Sequence, residues 1–309
     1  MAGGAASGGN ATSEAYAPAR GWLLLPTWVV LGIVVLAPIV LMLIYSFLTK
    51  EFRGGVIWEF SVDAYDQFFF DRGLFGDDAP TIQWAYIQIF WRSIWQATLA
   101  TIFCLLIGFP TAYFIATRPA NQRTIWVFLI TIPYWVNLLI RTVSMRFILR
   151  DQGPLNDLLQ WTGIVAEPLT IINTNLGVQI GLFYSYLPFM VLPLYAAIER
   201  YNFSLSEAAS DLYAPRHKIL TRIVLPAVKP GLIAGCILVF VPSLGSFLAP
   251  DLLGGARNFM IGSLIDEQFR GSAGNWPFGA AASMILLTLV LLVLMVLARQ
   301  QARLEKGAG

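Results

Sequence analysis

The chain has 309 residues, of which 57% are hydrophobic and 12% are charged, and its mean hydropathy is +0.67. A soluble domain carries roughly a quarter charged residues, so this composition is typical of a membrane protein. The formal net charge of +2 is too small for a nucleic-acid-binding surface. One histidine and two cysteines, each cysteine alone in an apolar run, exclude a disulfide framework or a Cys/His metal cluster.

The first 22 residues are rich in Gly, Ala and Ser and lack the features of a signal peptide, so we predict a disordered tail there. A helix needs about 20 apolar residues to cross a bilayer. Six runs meet this requirement, which predicts an all-α integral membrane protein with six transmembrane helices and a second tail at 299–309. The predicted spans are about 23–48, 94–116, 125–146, 175–198, 231–250 and 278–298.

The distribution of Lys and Arg among the connecting segments indicates the orientation, because cytoplasmic segments are enriched in these residues. With both termini in the cytoplasm, the inner segments hold 11 Lys and Arg residues and the outer segments hold 7. The outer segments also hold 13 of the 18 acidic residues, which favours a cationic solute or a cationic docking surface. We therefore expect both termini to be cytoplasmic.

Three spans contain residues that a plain lipid anchor lacks. Span three contains Pro133 and Asn137, span four contains Pro188 and Pro193, and span five contains Pro242. Each proline removes a backbone hydrogen bond, and the freed carbonyl must face protein or a water-filled path inside a bilayer. Together these breaks indicate a solute path, although packed, kinked helices are the simpler explanation for any single proline.

Charged residues mark the outer ends of two of these spans. Arg141 and Arg146 lie near the outer end of span three. Long basic side chains near a helix end commonly reach the membrane surface, and we expect both arginines to do so. Asp251 lies at the outer end of span five and is a candidate to face the path, since ionisable groups at membrane depth are often functional.

A polar stretch of about 32 residues, 199–230, separates spans four and five. Ser204 and Glu207 have the spacing of a capping box, which predicts that a short helix begins here. Pro215 suits the first turn of a second helix, and Pro226 is expected to end it. The stretch is predicted to form a compact helix–turn–helix on the cytoplasmic side.

Three sequence elements in and after this stretch resemble the EAA signature of ABC importer permeases. They are Glu207-Ala208-Ala209, Leu225-Pro226 and Pro230-Gly231. The resemblance implies that the first element docks a short coupling helix into a cleft of an ATPase subunit. It also implies that Leu225, Pro226 and Gly231 close the unit and begin the next span.

The family normally has glycine at the position of Tyr213. A glycine would end the first helix in the left-handed region, and a tyrosine in that conformation costs about 1–2 kcal/mol. Two alternatives stay open: Ala214 and Pro215 make the turn in another way, or coupling to the ATPase is impaired.

Further segments between residues 85 and 300 look like the first permease subunit of bacterial spermidine/putrescine importers. They are Pro133-Tyr134-Trp135, Leu139-Ile140-Arg141, Leu187–Tyr195, Asp251–Gly255, Ile261-Gly262 and Trp276–Ala280. The resemblance implies a bacterial inner-membrane protein that forms a heterodimer with a second permease subunit. It also implies two copies of an ABC ATPase subunit and a periplasmic solute-binding protein as partners.

The chain contains no Gly-x-x-x-x-Gly-Lys-Ser/Thr phosphate loop, so ATP and Mg²⁺ are expected on the partner ATPase. We therefore expect this chain to be a transport subunit and not an enzyme, with no cofactor and no nucleic-acid partner.

A path for a polyamine should offer carboxylates or carbonyls to ammonium groups and aromatic faces for cation–π contacts. The candidates are Trp135, Asn137, Tyr184, Tyr186, Phe247 and Asp251, of which Asp251 is favoured. Three alternatives stay open. The first is the same importer with another solute, namely another amine, an opine-like compound or ferric ion. The second is an ATP-independent carrier, and the third is a membrane enzyme, for which the spans offer the least support.

Overall fold

The structure, a computed structural model, describes residues 17–51, 55–71, 81–270 and 274–307. Most of this part of the chain is helical. The helices are α1 (Ala17–Tyr45), α2 (Asp63–Phe69), α3 (Trp84–Ala116), α4 (Ala120–Thr131), α5 (Leu138–Leu149), α6 (Pro154–Trp161), α7 (Asn175–Glu199), α8 (Ser204–Asp211), α9 (Arg216–Ile219), α10 (Leu225–Ala227), α11 (Lys229–Leu244), α12 (Ile261–Arg270) and α13 (Trp276–Gly307). Single 3₁₀ or π-helical turns occupy Ile132–Trp135, Leu220–Val224, Pro250–Gly254 and Ala256–Asn258.

Four of these helices, α1, α3, α7 and α13, are long and apolar enough to cross a membrane. Two further pairs of helical segments pass the same test but are sharply bent. The helical segment ending at Trp135 meets the one beginning at Leu138 at 91°, and the segment ending at Ala227 meets α11 at 73°. The described residues therefore contain four candidate spans, or six if each bent pair is one span.

Helix ends differ from the predicted span ends in places that local sequence explains. Residues 17–22, assigned to the N-terminal tail by the sequence, form the start of α1, whereas residues 1–16 lie outside the described residues. α11 ends at Leu244, six residues before the predicted end of span five, because Gly245 follows Pro242 closely and neither favours a helix interior. α13 continues to Gly307 through the predicted C-terminal tail, which is rich in good helix formers.

The helices α3, α7 and α11 pack against one another more extensively than any other elements in the described residues. Small, fully buried residues at intervals of three or four along α3 allow this close packing. They are Ala97, Ala100, Cys104, Gly108 and Ala112. Cys104 is thus a small residue of the core, and it is a free thiol, like the half-buried Cys236.

Two glycines bring α11 close to α7. A Cβ atom at Gly231 would meet Ala197 and would lie 2.9 Å from the carbonyl oxygen of Pro193. A Cβ atom at Gly235 would lie 2.8 Å from the sulfur of Met190. Gly231 and Gly235 are one helical turn apart, so they form a small-residue face of the kind that lets membrane helices approach closely.

The segment between the first two spans contains strands, which the all-α prediction missed. β1 (Leu48–Lys50) pairs antiparallel with β2 (Val56–Phe60), and β3 (Phe70–Asp71) pairs antiparallel with β4 (Thr81–Ile82). The β-branched and aromatic residues of β2 favour an extended backbone. Helix α2 lies between the two pairs and packs against α13, where Phe68 and Phe278 are buried in one cluster.

Candidate functional site

Residues 199–230 form two short helical segments joined by a tight turn. α8 is the first segment, and α9, the π-helical turn and α10 run on from Arg216 to Ala227 as the second. Ile219 and Val224 are buried in the main core and Ile223 packs against it, so these residues form the apolar face of the second segment.

Both ends of these segments differ in detail from the prediction. The capping box does not form: Ser204 is already helical, and its hydroxyl donates to Asn202 Oδ1 at 2.8 Å. The second segment ends at Ala227, one residue after Pro226. The π-helical turn precedes this proline, and there the Leu225 N–H donates to the Leu220 carbonyl, five residues back.

The turn between the two segments places Tyr213 in the left-handed region, with φ at +58°. The tyrosine therefore adopts the conformation that the family's glycine would adopt, and Ala214 and Pro215 do not make the turn in another way. The Tyr213 side chain is 95% exposed and the neighbouring Leu212 is 82% exposed, so packing does not offset the backbone strain.

The base of this loop is held by aromatic rings and polar contacts. The Phe203 ring packs edge-on against Tyr201 at 5.2 Å and against Tyr113 of α3 at 6.3 Å. At the end of α7, Glu199 forms an ion pair with Arg123 of α4 at 3.3 Å and accepts a hydrogen bond from Tyr195 at 2.8 Å. The loop thus rises from a point where α3, α4 and α7 are joined.

Two of the three predicted docking residues lie on the outer side of the loop. Glu207 and Ala208 are exposed on α8, whereas Ala209 packs against the core. Leu225 is half-buried and Pro226 is exposed. Within the described residues the Glu207 carboxylate has no hydrogen-bond or ion-pair partner, so it is available to a second protein.

A second group of residues lies where the predicted spans three and four are in contact. The Arg141 guanidinium lies 4.4 Å from the centre of the Tyr134 ring and 5.8 Å from that of Tyr184. The Tyr134 hydroxyl donates to the Ser185 carbonyl, close to the break in hydrogen bonding that Pro188 causes in α7. Arg141 is only 8% exposed, so the prediction that it reaches the surface was wrong.

Arg141 is buried because the chain turns by 91° just before α5, which directs the start of this helix toward α7. Arg146, five residues further along α5, is exposed as predicted.

Three other predicted pathway residues lie near the break in α7 or near the turn before α5. Tyr186 donates to the Pro242 carbonyl at 3.2 Å, which satisfies one of the last carbonyls of α11. Trp135 is 78% exposed, and its ring meets Phe128 edge-on at 5.8 Å. Asn137 caps α5, since its Oδ1 accepts from the Leu139 N–H at 2.8 Å, and part of its hydrogen-bonding capacity is already used.

The last two predicted pathway residues lie on the segment after α11. The Phe247 ring has the Arg270 guanidinium 5.3 Å from its centre. Asp251 is exposed in the π-helical turn that begins at Pro250, and its backbone N–H donates to the Phe247 carbonyl at 3.0 Å.

A chain of side-chain amides between α3 and α7 was not predicted. Gln96 is 3% exposed and donates to Asn175 Oδ1 at 2.8 Å. Gln179 donates both to the Gln96 carbonyl at 2.9 Å and to Gln96 Oε1, and its own Oε1 is buried without a donor among the described residues. Two glutamines inside apolar spans were the signal for this contact, because amides at membrane depth commonly bond across helices.

Comparison with known proteins gives a clear family match. The model of the family described as "Binding-protein-dependent transport system inner membrane component" matches residues 108–306.

Curated relatives are similar over most of the chain. The spermidine/putrescine transport system permease protein PotB of Escherichia coli K12 is 38% identical over 279 residues, which cover 90% of this chain and 96% of that protein. PotB of Haemophilus influenzae is 39% identical over 88% of this chain and 90% of that protein. The inner membrane ABC transporter permease protein YdcU of Escherichia coli K12 is 30% identical over 68% of this chain and 70% of that protein.

Solved structures share the fold. A chain of a bacterial alginate ABC transporter in complex with its alginate-bound periplasmic protein superposes with a TM-score of 0.69 over 92% of this chain and 96% of that chain, at 18% identity. A chain of the inward-facing methionine transporter MetNI gives a TM-score of 0.55 over 72% of this chain and 96% of that chain, also at 18% identity.

Proposed function

The chain belongs to the family of inner membrane components of binding-protein-dependent transport systems, and on this premise we propose that it is a permease subunit for the import of polyamines. The observation that carries the proposal is the 38% identity to a spermidine/putrescine permease over 90% of the chain. Identity at this level extends beyond the loop at 199–230 to the predicted spans. The solute class therefore rests on the whole chain and not on one motif.

The loop at 199–230 is the proposed docking site for an ATPase subunit. Glu207, Ala208 and Leu212 are exposed on it, while its base is tied to α3, α4 and α7. A force applied to α8 would therefore reach the ends of three helices. Such an element, moved from one end, can switch the spans between two arrangements.

The assembly proposed here contains a second, different permease subunit, two copies of an ABC ATPase and a periplasmic solute-binding protein. One structural neighbour is an ABC transporter in complex with a periplasmic protein, which supports the proposal of a binding-protein partner. ATP and Mg²⁺ would bind the ATPase subunits. Both termini and the 199–230 loop would be cytoplasmic, and the acidic outer segments would face the periplasm, where they attract cations.

The solute path is proposed to pass the breaks in spans three, four and five. Tyr184 and Tyr186 supply aromatic faces there, and Asp251 supplies an exposed carboxylate on the segment after α11. Ammonium groups bind to both kinds of group. Contacts of this kind are individually weak, which suits a path that must release what it binds.

The test is the ATPase activity of the complex reconstituted with its neighbouring subunits and binding protein, with and without spermidine and putrescine. We expect either amine to stimulate the activity, and ferric ion or an opine to leave it at the basal rate. Intact basal activity without stimulation by either amine would reject the polyamine assignment. Failure to assemble with any ATPase subunit would reject the importer mechanism.

A further inference from the structure

Tyr184, one of the aromatic residues proposed to contact a solute ammonium, already lies near a cation of the chain itself. The Arg141 guanidinium lies between the Tyr134 ring, at 4.4 Å, and the Tyr184 ring, at 5.8 Å. Tyr134 comes from the broken third span and Tyr184 from α7, so the two rings form a cage between two elements. Cations within about 6 Å of a ring centre are attracted by its electron-rich face.

Hydrogen bonds hold this guanidinium only weakly. Its Nε is buried and has no acceptor, and its Nη1 reaches the Pro133 carbonyl at 3.5 Å, the upper limit for a hydrogen bond. No carboxylate of the described residues pairs with it. A buried arginine usually has both kinds of partner, because five N–H groups and a positive charge are otherwise costly to bury.

The cage lies next to the surface. Tyr134 and Tyr184 are half-buried, and the residues directly after Tyr134 are exposed. Trp135 is 78% exposed and Val136 is 47% exposed. These exposed residues follow Tyr134 directly in the chain, at the break where the solute path is proposed to pass.

We propose that Arg141 is a tethered cation that competes with the polyamine for the cage of Tyr134 and Tyr184 and thereby keeps the solute weakly bound in the permease. This proposal rests on the proposed polyamine function. Two cations a few ångströms apart repel each other, so the cage holds either the guanidinium or an ammonium group. Return of Arg141 to the rings would help to expel the solute, in keeping with a path that must not retain its cargo.

The test compares Arg141→Gln with a matched control, Arg146→Gln. Both residues lie on α5 and both substitutions remove one positive charge, but Arg146 is exposed and outside the cage. Equilibrium binding of radiolabelled spermidine is measured on the assembled complex in nanodiscs without the binding protein. Turnover is then measured with the binding protein present.

We expect R141Q to bind spermidine about three- to tenfold more tightly than the wild type, the range of one cation–π contact, and to turn over more slowly. R146Q should behave like the wild type. An unchanged or weaker affinity in R141Q, or an equal gain in R146Q, would overturn the proposal. A complex that assembles with Arg141→Lys but not with R141Q would also overturn it, by making Arg141 a structural cation.

Two variants of Tyr184 test the contribution of its ring separately from that of the Arg141 cation. In the R141Q background, Tyr184→Phe keeps the ring face and should leave spermidine binding unchanged, whereas Tyr184→Leu should weaken it. Equal binding by these two variants in that background would contradict a role for the ring. Absence of amine-stimulated turnover in the wild type would instead reject the proposed function. That result is distinguishable from the binding results of the variants.

Discussion

Tyr213 stands in the left-handed region with 95% of its side chain exposed, so its conformation is imposed by the turn and not by contacts of its ring. An ordinary residue in this region is strained by about 1–2 kcal/mol relative to a right-handed conformation. The turn nevertheless forms, because the Tyr213 N–H donates to the Ser210 carbonyl at 2.9 Å and Ala214 donates to Ala209 at 3.1 Å. The strain affects stability and leaves the geometry of the loop intact.

Replacement of Tyr213 by glycine should relieve this strain. We expect Tyr213→Gly to be more stable than Tyr213→Ala by about 1 kcal/mol, because alanine removes the ring but keeps the strained φ. The measurement is thermal unfolding of the purified complex with each variant. If the alanine variant is as stable as the glycine variant, the left-handed backbone at this position does not lower the stability of the complex.

Asp251 is the residue of the proposed path with an exposed carboxylate. We expect Asp251→Asn to reduce the uptake of putrescine and spermidine while leaving assembly intact, since an amide keeps the shape and loses the charge that attracts ammonium groups. Glu267→Gln is the control, because Glu267 is also exposed and lies on α12 in the same part of the chain. Uptake and complex yield are measured together; an equal fall in both would make Asp251 structural.

At the scale of elements, the contact between α7 and α11 depends on the absence of side chains. Gly231 faces Ala197 and the Pro193 carbonyl, and Gly235 faces Met190. Gly231 is also the residue at which the loop passes into α11. Its place in the EAA signature therefore has a steric cause: only glycine lets α11 begin this close to α7.

Gly231→Ala should weaken this contact. The added Cβ would meet Ala197 and lie 2.9 Å from the Pro193 oxygen, a backbone atom that cannot move aside easily. We expect a loss of about 1–3 kcal/mol, the usual effect of overpacking. Gly32→Ala is the control, because Gly32 is inside helix α1 with nothing within 4 Å of a Cβ atom. Equal thermal stability of the two variants would show that α7 and α11 can separate without loss.

The loop at 199–230 is the element on which the proposed coupling to an ATPase subunit depends. Glu207 is exposed, and its carboxylate has no partner among the described residues, so Glu207→Ala should fold normally. We expect this variant to lower the solute-stimulated ATPase activity and to leave complex yield unchanged. Glu267→Ala removes the same side chain from another exposed helix and should have no effect. Unchanged coupled transport in Glu207→Ala would exclude a docking role for this residue.

At the scale of the whole molecule, the long apolar runs predicted α1, α3, α7 and α13 because hydropathy alone determines which segments can cross a bilayer. Pro133 and Asn137 predicted a break in span three. They could not predict its 91° angle, because local sequence shows where hydrogen bonds are lost but not the direction in which the chain then runs. The strands Leu48–Lys50 and Val56–Phe60 were not predicted, because only the charge of this segment was interpreted. Val56–Phe60 is nevertheless rich in strand-forming residues.

The candidate sites also differ in how far the sequence predicted them. Two short helical segments in the 199–230 loop were predictable, since short helices depend on nearby residues, although the capping box at Ser204 did not form. The cage around Arg141 was not, because it depends on contacts between residues about 40 to 50 positions apart, which only the packing of α5 against α7 brings together. The same holds for the amides of Gln96 and Gln179, which are 83 positions apart.

Accumulation of radiolabelled spermidine in proteoliposomes is the decisive test of whether this chain forms a polyamine path driven by ATP. The complex is reconstituted with ATP on the ATPase side and spermidine with the binding protein on the other side. We predict accumulation against a gradient that requires both ATP and the binding protein and that unlabelled putrescine reduces. Accumulation without ATP would indicate a carrier, and ATP hydrolysis without spermidine transport would indicate another solute; either result would reject the proposed function.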